Sequence, residues 1–340
     1  GRAYYEIQAG LARTQLHSLP MPGEAAWSWT EAFGSLAADP AVTHGPDWGA
    51  AWKHAEAALD RALPAGELDA WHARLTALHG QPAGDTLQAG SGWGALERLR
   101  MEAAGEALPP GCAFPDATLG PEQQPWLALL RDGALPAGDP RADPGAWMLQ
   151  PEWERLLERS LERPAGRHWL TWLHLGVMRM ERLDGEGARA AWENSAALTP
   201  SAWALRNLAQ LKLRAGWHVE AAELRERAWA LRPAAGPGVA ALAKETLDGL
   251  CRAERYAHAL WFARSLPEEI KSLSRVQLLY ARAAVRGGDP AEAESILRGE
   301  LTDIREGEPE PVELWYELHE RRVAAKEGAA RDDALRARVR

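Results

Sequence analysis

Two carboxylates near the start of the chain, Glu6 and Glu31, lie in segments that alternate apolar and polar residues. Glycoside chemistry uses two carboxylates about 5 to 10 Å apart, one as general acid and the other as nucleophile or base. On neighbouring strands the two glutamates could form such a pair, and they could equally be solvated or hydrogen-bonded at a strand edge. Because a sequence does not give their separation, no catalytic residue is assigned.

The glycine-rich string Gly90-Ser91-Gly92-Trp93-Gly94 has no strand before it and no lysine after it, so it fails as a phosphate-binding loop. We interpret it as a tight turn that places Trp93 at the start of a helix, where the indole is a candidate platform for a sugar. The chain has no His-x-x-x-His pair with a carboxylate, no Cys/His pair at metal-ligand spacing and no Gly-x-Ser-x-Gly elbow. We therefore expect no metal and no cofactor.

Charge and hydropathy exclude several classes of partner. The 39 basic and 48 acidic residues are interleaved and give a net charge of −9, which leaves no basic stripe for a nucleic acid. No apolar run approaches the roughly 18 residues that span a bilayer, so no membrane contact is expected. Two cysteines, Cys112 and Cys251, are too few for a disulfide framework and favour a cytoplasmic protein. Because the chain begins with Gly1, we expect a fragment or a processed product.

Residue patterns divide the chain into five parts. Residues 1–40 predict two or three short strands, which should belong to a sheet whose other strands lie upstream of Gly1 or should pack on the helical body. Residues 41–107 have helical periodicity and predict a helical linker domain. Residues 108–150 carry eight prolines and predict a connection that is either an ordered surface loop or functional. Residues 151–323 predict helical repeats with a capping helix, and residues 324–340 a charged tail.

Self-similarity after residue 151 is the strongest pattern in the chain. Ala188, Ala221, Ala257 and Ala291 are 33, 36 and 34 residues apart, and Pro200, Pro233 and Pro267 are 33 and 34 apart. Together with Trp172, Leu175, Gly176 and Trp192, they resemble the tetratricopeptide repeat, whose period is about 34 residues. The predicted fold class is therefore mostly α, a tetratricopeptide-like α-solenoid of antiparallel helix pairs with a short β-strand remnant at the N-terminus.

Three strings in order, residues 5–15, 27–32 and 90–97, followed by the repeats, resemble the bacterial family called domain of unknown function 5107. In that family a galactose-mutarotase-like sandwich precedes the helical part. The resemblance therefore implies that residues 1–40 are the terminal strands of a truncated β-sandwich, and it implies carbohydrate handling. The candidate sugar-binding residues are Glu6, Gln8, Arg13, Trp27, Trp29, Glu31 and Trp93. The mutarotase catalytic His and Glu have no identifiable counterpart among them, and we expect no catalysis by this chain.

The first helices of such repeats line a concave face, where polar and aromatic side chains can contact a ligand. Arginines one helical turn apart could bind the carboxylate of a partner peptide with two hydrogen bonds, and they could also be a solvated helix face. The partner-binding candidates are Trp169, Arg206, Asn207, Gln210 and Arg214.

We therefore predict a protein–protein interaction or scaffold module of a carbohydrate-related bacterial protein, which binds a partner on its concave face. The expected partner is a protein or peptide, with a homodimer or a carbohydrate ligand as further expectations. The alternative is the C-terminal part of a carbohydrate-active enzyme that processes or binds a sugar. Convergence of Trp27, Trp29 and Trp93 with the carboxylates on one cavity would favour the alternative.

Overall fold

The structure, a computed structural model, describes residues 8–79, 81, 84–109, 111–305 and 307–339. These residues are mostly α-helical, which confirms the predicted class. The chain forms two compact units. The first comprises Gly1–Ala89 and Ala107–Ala113, and the second comprises Gly90–Glu106 and Phe114–Arg340.

The first unit contains three helices: α1 (Pro40–Thr43), α2 (Trp48–Ala62) and α3 (Ala65–His79). Asp47 caps α2, since its side chain accepts a hydrogen bond from the backbone N–H of Ala50. Pro64 separates α2 from α3, because a proline is tolerated in the first turn of a helix but not in its interior. The helical periodicity of this part therefore identified its helices.

The prediction of strands in residues 8–39 is wrong, because none of these residues forms a strand or a helix. Instead, side chains hold the segment: Oγ1 of Thr30 lies 3.0 Å from Nδ1 of His72, and Oγ of Ser28 lies 3.3 Å from Nε2. A strand needs a neighbouring strand to bond its N–H and C=O groups, and none of the described residues supplies one. Residues 1–7 of the predicted remnant lie outside the described residues.

The second unit contains the other fourteen α-helices of the described residues. They are α4 (Gly92–Ala103), α5 (Gln124–Asp132), α6 (Pro151–Ser160), α7 (Trp169–Glu181), α8 (Gly185–Leu198), α9 (Ala202–Arg214), α10 (His218–Ala230), α11 (Pro237–Arg252), α12 (Tyr256–Ser265), α13 (Glu268–Lys271), α14 (Ser274–Gly287), α15 (Pro290–Leu297), α16 (Glu310–Glu327) and α17 (Asp333–Val339).

Four helix pairs follow one another: α7 with α8, α9 with α10, α11 with α12, and α14 with α15. The helices of each pair are joined by two or three residues, which requires them to run antiparallel. Pro200, Pro233 and Pro267 follow the ends of α8, α10 and α12, as expected of residues that cannot continue a helix. The chain therefore doubles back at intervals close to the predicted period.

Small residues let the helices of each pair approach closely. Ala188 and Ala221 are fully buried, as their positions in the repeat predict. In the third and fourth pairs, however, Ala257 and Ala291 are exposed. The fully buried small residues there are Ala259 and Ala293, two positions later. The repeat period was therefore identified, but its register in the last two pairs was not.

In the first pair the close approach is made by Gly176 of α7. A Cβ atom at this position would lie 2.2 Å from Nε1 of Trp192 on α8. The indole lies against bare backbone, and its Nε1–H donates to the carbonyl oxygen of Leu173 at 3.2 Å. Gly176 and Trp192, two residues of the repeat pattern, are thus in direct contact, and this contact sets the spacing of α7 and α8.

Helix α16 packs on α14 and α15 and buries Leu314 and Leu318, so it covers the last pair as the predicted capping helix. The predicted charged tail begins inside α16 and ends in α17. Leu335 of α17 is buried, and the guanidinium of Arg331 bonds the buried carboxylate of Glu320 at 2.8 Å. A buried leucine and a buried ion pair thus hold this last segment against α16.

Gly176→Ala should destabilise the second unit, because its Cβ must displace a rigid, hydrogen-bonded indole. The expected loss is about 1 to 3 kcal/mol in the free energy of unfolding. Gly185→Ala in α8 is the matched control, since its Cβ would meet nothing within 4 Å; it should be neutral or slightly stabilising. Urea unfolding of both variants measures the difference, and equal midpoints would contradict the close packing of α7 on α8.

Candidate functional site

The segment from residue 133 to residue 150, which we call the strap, contains no helix or strand. It is the second half of the predicted Pro/Gly-rich connection. Leu135 near one end and Met148 near the other are buried, whereas most residues between them are exposed. The strap is therefore an ordered loop that two apolar side chains anchor to the helices.

Ring nitrogens of the helices bond the carbonyl oxygens of the strap. The indole Nε1–H of Trp169 donates to Gly138 at 3.0 Å, that of Trp203 to Ala142 at 2.8 Å, and that of Trp126 to Ala146 at 2.9 Å. Nε2 of His168 lies 3.0 Å from the carbonyl oxygen of Leu135. These bonds satisfy strap carbonyls that have no secondary structure to pair with.

His174 of α7 is a further ring that bonds the strap. Its imidazole is buried, bonds the backbone of Pro144 and packs edge-on against Trp126 at 5.1 Å between ring centroids. Burial lowers the pKa of His174 to about 4, and the bond to Pro144 opposes this effect. The imidazole is therefore neutral at physiological pH and serves as an uncharged hydrogen-bonding group.

A groove of about 520 Å³ lies between the strap and helices α7 and α9, which is within the range of ligand-binding pockets. We call it the α7–α9 groove. Apolar side chains make up much of its lining, and polar residues of α9 line the same cavity together with Asp143, His174 and Glu181. The apolar group comprises Trp147, Leu149, Leu173, Val177, Met180, Trp192, Trp203 and Leu211, and the α9 group comprises Arg206, Asn207, Gln210 and Arg214.

Four of the five partner-binding candidates therefore line one cavity, but three of them already bond other side chains of the chain. Arg206 bonds both carboxylate oxygens of Glu245, at 2.6 and 2.9 Å. Its Nη1 also donates to Asn207 at 3.3 Å. The amide oxygen of Gln210 accepts from the buried guanidinium of Arg225 at 3.4 Å. The bidentate hydrogen bonds that Arg206 was expected to form with a partner's carboxylate are thus formed with Glu245 of the same chain.

Arg214 differs from Arg206. It is exposed at the end of α9, and its Nη1 lies 4.0 Å from the sulfur of Met180. No carboxylate of the described residues lies at ion-pair distance from it, whereas the exposed Arg189 and Arg264 each have two. Arg214 therefore places a positive charge without an internal counter-ion beside an apolar cavity.

The prediction for Trp169 requires a correction. This tryptophan was expected on the exposed concave face, but only 4% of its surface is exposed. It belongs to the core of the first helix pair, and its indole N–H bonds the strap. The strap covers the position that the repeat pattern alone would leave open, so the side chain cannot reach a partner.

Most sugar-binding candidates lie in the first unit. Glu6 lies outside the described residues, and Gln8, Arg13, Trp27, Trp29 and Glu31 are all exposed. The amide oxygen of Gln8 accepts from Gln15 at 2.7 Å, and the residues beside Trp29 contact His72. Trp93 belongs to the second unit, where it lines a separate cavity with Trp147.

Sequence reasoning missed Trp147, Trp203, His174 and Met180 as residues of this region. Trp147 was passed over because it lies in a Pro/Gly-rich stretch with no periodicity. The others are part of helical patterns that predict a core, and only the course of the strap makes them line a groove. An unusual number of indoles, 17 against three phenylalanines, was the one available signal.

Other kinds of site are not found among the described residues. No three His, Cys, Asp or Glu side chains of that part could hold a metal ion together. Both cysteines are free, and burial raises the pKa of Cys251 to about 12, so this thiol is not a nucleophile. Within the described parts of the chain, no helix is both long enough and apolar enough to span a bilayer.

No model of a known protein family matches the chain, and no curated protein is significantly similar to it in sequence. The function must therefore be argued from the groove and its surroundings.

Acidification should destabilise the second unit through His174. An unfolded imidazole with its ordinary pKa of 6.5 takes up a proton between pH 6.5 and pH 4, whereas the folded one stays neutral. Stability therefore falls as the pH drops through this window, by about 2 kcal/mol between pH 7 and pH 5.

The measurement is urea unfolding of the wild type and His174→Gln at pH 5, 6 and 7. The wild type should lose more stability than the variant over this range. His218→Gln, at an exposed imidazole of α10, controls for the removal of any histidine and should keep the wild-type slope. If the free energy of unfolding changes with pH equally in the wild type and in His174→Gln, burial of this ring does not affect proton uptake.

Proposed function

We propose that this chain is a protein–protein interaction or scaffold module whose α7–α9 groove binds an extended segment of a partner protein. The observation that carries this proposal is the combination of an apolar groove of about 520 Å³ with Arg214, which has no counter-ion within the described residues. A partner segment that fits would bring an apolar side chain for the groove and a carboxylate for the guanidinium.

We further propose that the helix pairs are tetratricopeptide-like repeats. The close contact of Gly176 with Trp192 and the prolines after α8, α10 and α12 support this. In the second pair Arg225 stands where the first has Trp192, and its buried guanidinium donates to the carbonyl oxygen of Glu245 at 2.8 Å. A repeat can thus replace the aromatic residue with a long side chain that bonds the next pair.

The groove contains the chemistry for a peptide. Apolar side chains give affinity through burial, at about 25 cal/mol per Å² of apolar surface removed from water. Arg214 adds a directional bond to a C-terminal or side-chain carboxylate, and such charge-assisted bonds are stronger than neutral ones. Asn207 and Gln210 lie on the same helix and offer amide groups for the partner's backbone.

The setting of this module is also a proposal. The strings at residues 5–15, 27–32 and 90–97 support a carbohydrate-related bacterial parent, in which the sugar-binding or catalytic role would belong to a different part. Two free cysteines support a cytoplasmic location. Of the sugar-binding candidates, Trp93 alone belongs to the second unit, where it lines a cavity with a second indole.

Arg214→Ala should weaken the binding of a carboxylate-bearing peptide without affecting the fold. The probe is a set of labelled hexapeptide pools with Leu, Met or Trp fixed near a free C-terminus, together with the same pools amidated. By fluorescence anisotropy, the wild type should prefer the free carboxylates by about tenfold, the value of one charge-assisted bond. In Arg214→Ala this preference should disappear.

Arg227→Ala is the matched control, because it removes an equal charge from an exposed position of α10 outside the groove. It should bind as the wild type does. Arg206→Ala is less informative, since it would leave Glu245 without its partner and lower stability. Equal affinity of free and amidated pools for the wild type would refute the carboxylate contact, and the absence of any binding would refute the groove as a peptide site.

A further inference from the structure

A second cavity, of about 400 Å³, lies where the start of α4 meets the end of the strap. We call it the indole pocket. Two tryptophans and two glutamates line it together with uncharged residues. The full lining is Trp93, Glu97, Glu122, Ala146, Trp147, Met148, Leu149 and Gln150.

Glycines fix the position of Trp93. Ser91 caps α4, and the helix begins at Gly92, as the tight-turn interpretation of this string predicts. A Cβ atom at Gly94 would lie 2.1 Å from the ring of Phe114, and one at Gly92 would lie 2.4 Å from the carbonyl oxygen of Thr118. Only glycine lets the first turn of α4 lie so close to the next segment. The half-buried indole of Trp93 is thereby held at the wall of the pocket.

The strap fixes the position of Trp147. The carbonyl oxygen of Ala146 accepts from the indole N–H of Trp126, and the next side chain along, Met148, is buried. Since neighbouring side chains in an extended segment point to opposite sides, Trp147 is directed outward. Its indole is 59% exposed although it is tethered on both sides. The pocket therefore contains one fixed and one accessible aromatic face.

The charge of the pocket is negative. Its lining includes no Lys, Arg or His. The carboxylate of Glu97 is oriented by Trp153, whose Nε1–H donates to one oxygen at 2.8 Å, and by Arg100 at the other oxygen. Because Arg100 also bonds Glu106, its single charge is shared by two carboxylates. Glu122 is exposed, and no cation of the described residues pairs with it.

Three other indoles of the second unit have a cation of the chain over the ring. Lys212 lies over Trp217 at 3.9 Å from the ring centroid, Arg232 lies over Trp229 at 3.9 Å, and Arg298 lies over Trp315 at 5.1 Å. Among the described residues, neither Trp93 nor Trp147 has a cation over its ring. Three indoles of the second unit thus have a cation over the ring, whereas the rings of Trp93 and Trp147 stay open to a cation from outside.

We propose that the indole pocket binds an organic cation, a guanidinium or an alkylammonium group, between the rings of Trp93 and Trp147. Aromatic faces attract cations through the ring quadrupole, and the attraction increases when the cation is partly removed from water. Glu97 and Glu122 supply the complementary charge. A neutral sugar would gain the stacking but not the electrostatic attraction, and an anion would be repelled.

The pocket and the α7–α9 groove share Trp147 and Leu149. A basic side chain of the same partner segment could therefore occupy the indole pocket. The proposal for the pocket does not depend on this, since it follows from the pocket's own residues and is tested with small probes.

The test titrates the full chain with Nα-acetyl-argininamide, and with its neutral counterpart Nα-acetyl-citrullinamide, and follows the indole N–H resonances by NMR. The Trp147 resonance is assigned by its loss in Trp147→Ala. We expect a saturable shift with the arginine derivative, with a Kd on the order of a millimolar. The citrulline derivative should bind at least about fivefold more weakly, since it lacks the charge.

Variants at exposed positions locate the site. Trp147→Ala and Glu122→Gln should each weaken the arginine derivative about three- to tenfold, as followed on the remaining shifted resonances. Trp261→Ala removes an indole of similar exposure, 63%, on α12 and should bind as the wild type does. Choline serves as a second cation. If it binds more tightly than the arginine derivative, the preferred ligand of the pocket is a quaternary ammonium compound and not the side chain of a peptide.

Three results would overturn the proposal. These are equal binding of the arginine and citrulline derivatives, equal effects of Trp147→Ala and Trp261→Ala, and a saturable shift of the Trp147 resonance with glucose or galactose but not with the cations. The last result would assign the pocket to a sugar. Failure of the carboxylate peptides to bind the α7–α9 groove would leave this test unaffected, because its readout is the Trp147 resonance with a small cation.

Discussion

The bonds from ring N–H groups to the carbonyl oxygens of the strap are the interaction on which both cavities depend. A segment without helix or strand has backbone oxygens that lose water when it packs on a protein, and each must find a donor. Here the donors are the rings of Trp126, Trp169 and Trp203, which belong to three different helices. Because these helices are fixed by their packing, the strap is fixed with them. It therefore forms a wall of the α7–α9 groove and a side of the indole pocket.

Ion pairs between helices engage several arginines of the array within the chain. Glu245 and Asp248 of α11 accept guanidinium groups from both neighbouring directions. Glu245 pairs with Arg206 of α9, and Asp248 lies 3.4 Å from both Arg225 of α10 and Arg282 of α14. Each pair joins successive helix pairs and consumes a charge that a ligand could otherwise use. These carboxylates of α11 are thus occupied within the chain, whereas no carboxylate in the described part of the chain pairs with Arg214 of α9.

Local signals in the sequence were sufficient for the helices but not for the faces that they present. Trp192, Gly176 and Pro200 define a helix pair because their roles depend on neighbours less than 30 residues away. Trp169 was misplaced because the strap that covers it lies in a stretch without periodicity. Arg206 was placed in the right cavity, yet its pairing with Glu245, 39 residues later, cannot be read from spacing. The prediction of strands in residues 8–39 failed for the same reason, because a strand depends on a neighbouring strand that the segment itself does not contain.

Trp147 lines both the α7–α9 groove and the indole pocket, so one indole forms part of the wall of each cavity. The exposed indole of Trp147 can change rotamer at small cost, whereas the carbonyl oxygen of the preceding residue, Ala146, stays bonded to the indole N–H of Trp126. A ligand that binds in one cavity and favours one rotamer of Trp147 changes the wall of the other cavity. Where a ligand in one cavity changes the affinity of the other in this way, thermodynamic reciprocity requires that the effect in the opposite direction have the same factor. One side chain would suffice to make two adjacent sites heterotropic.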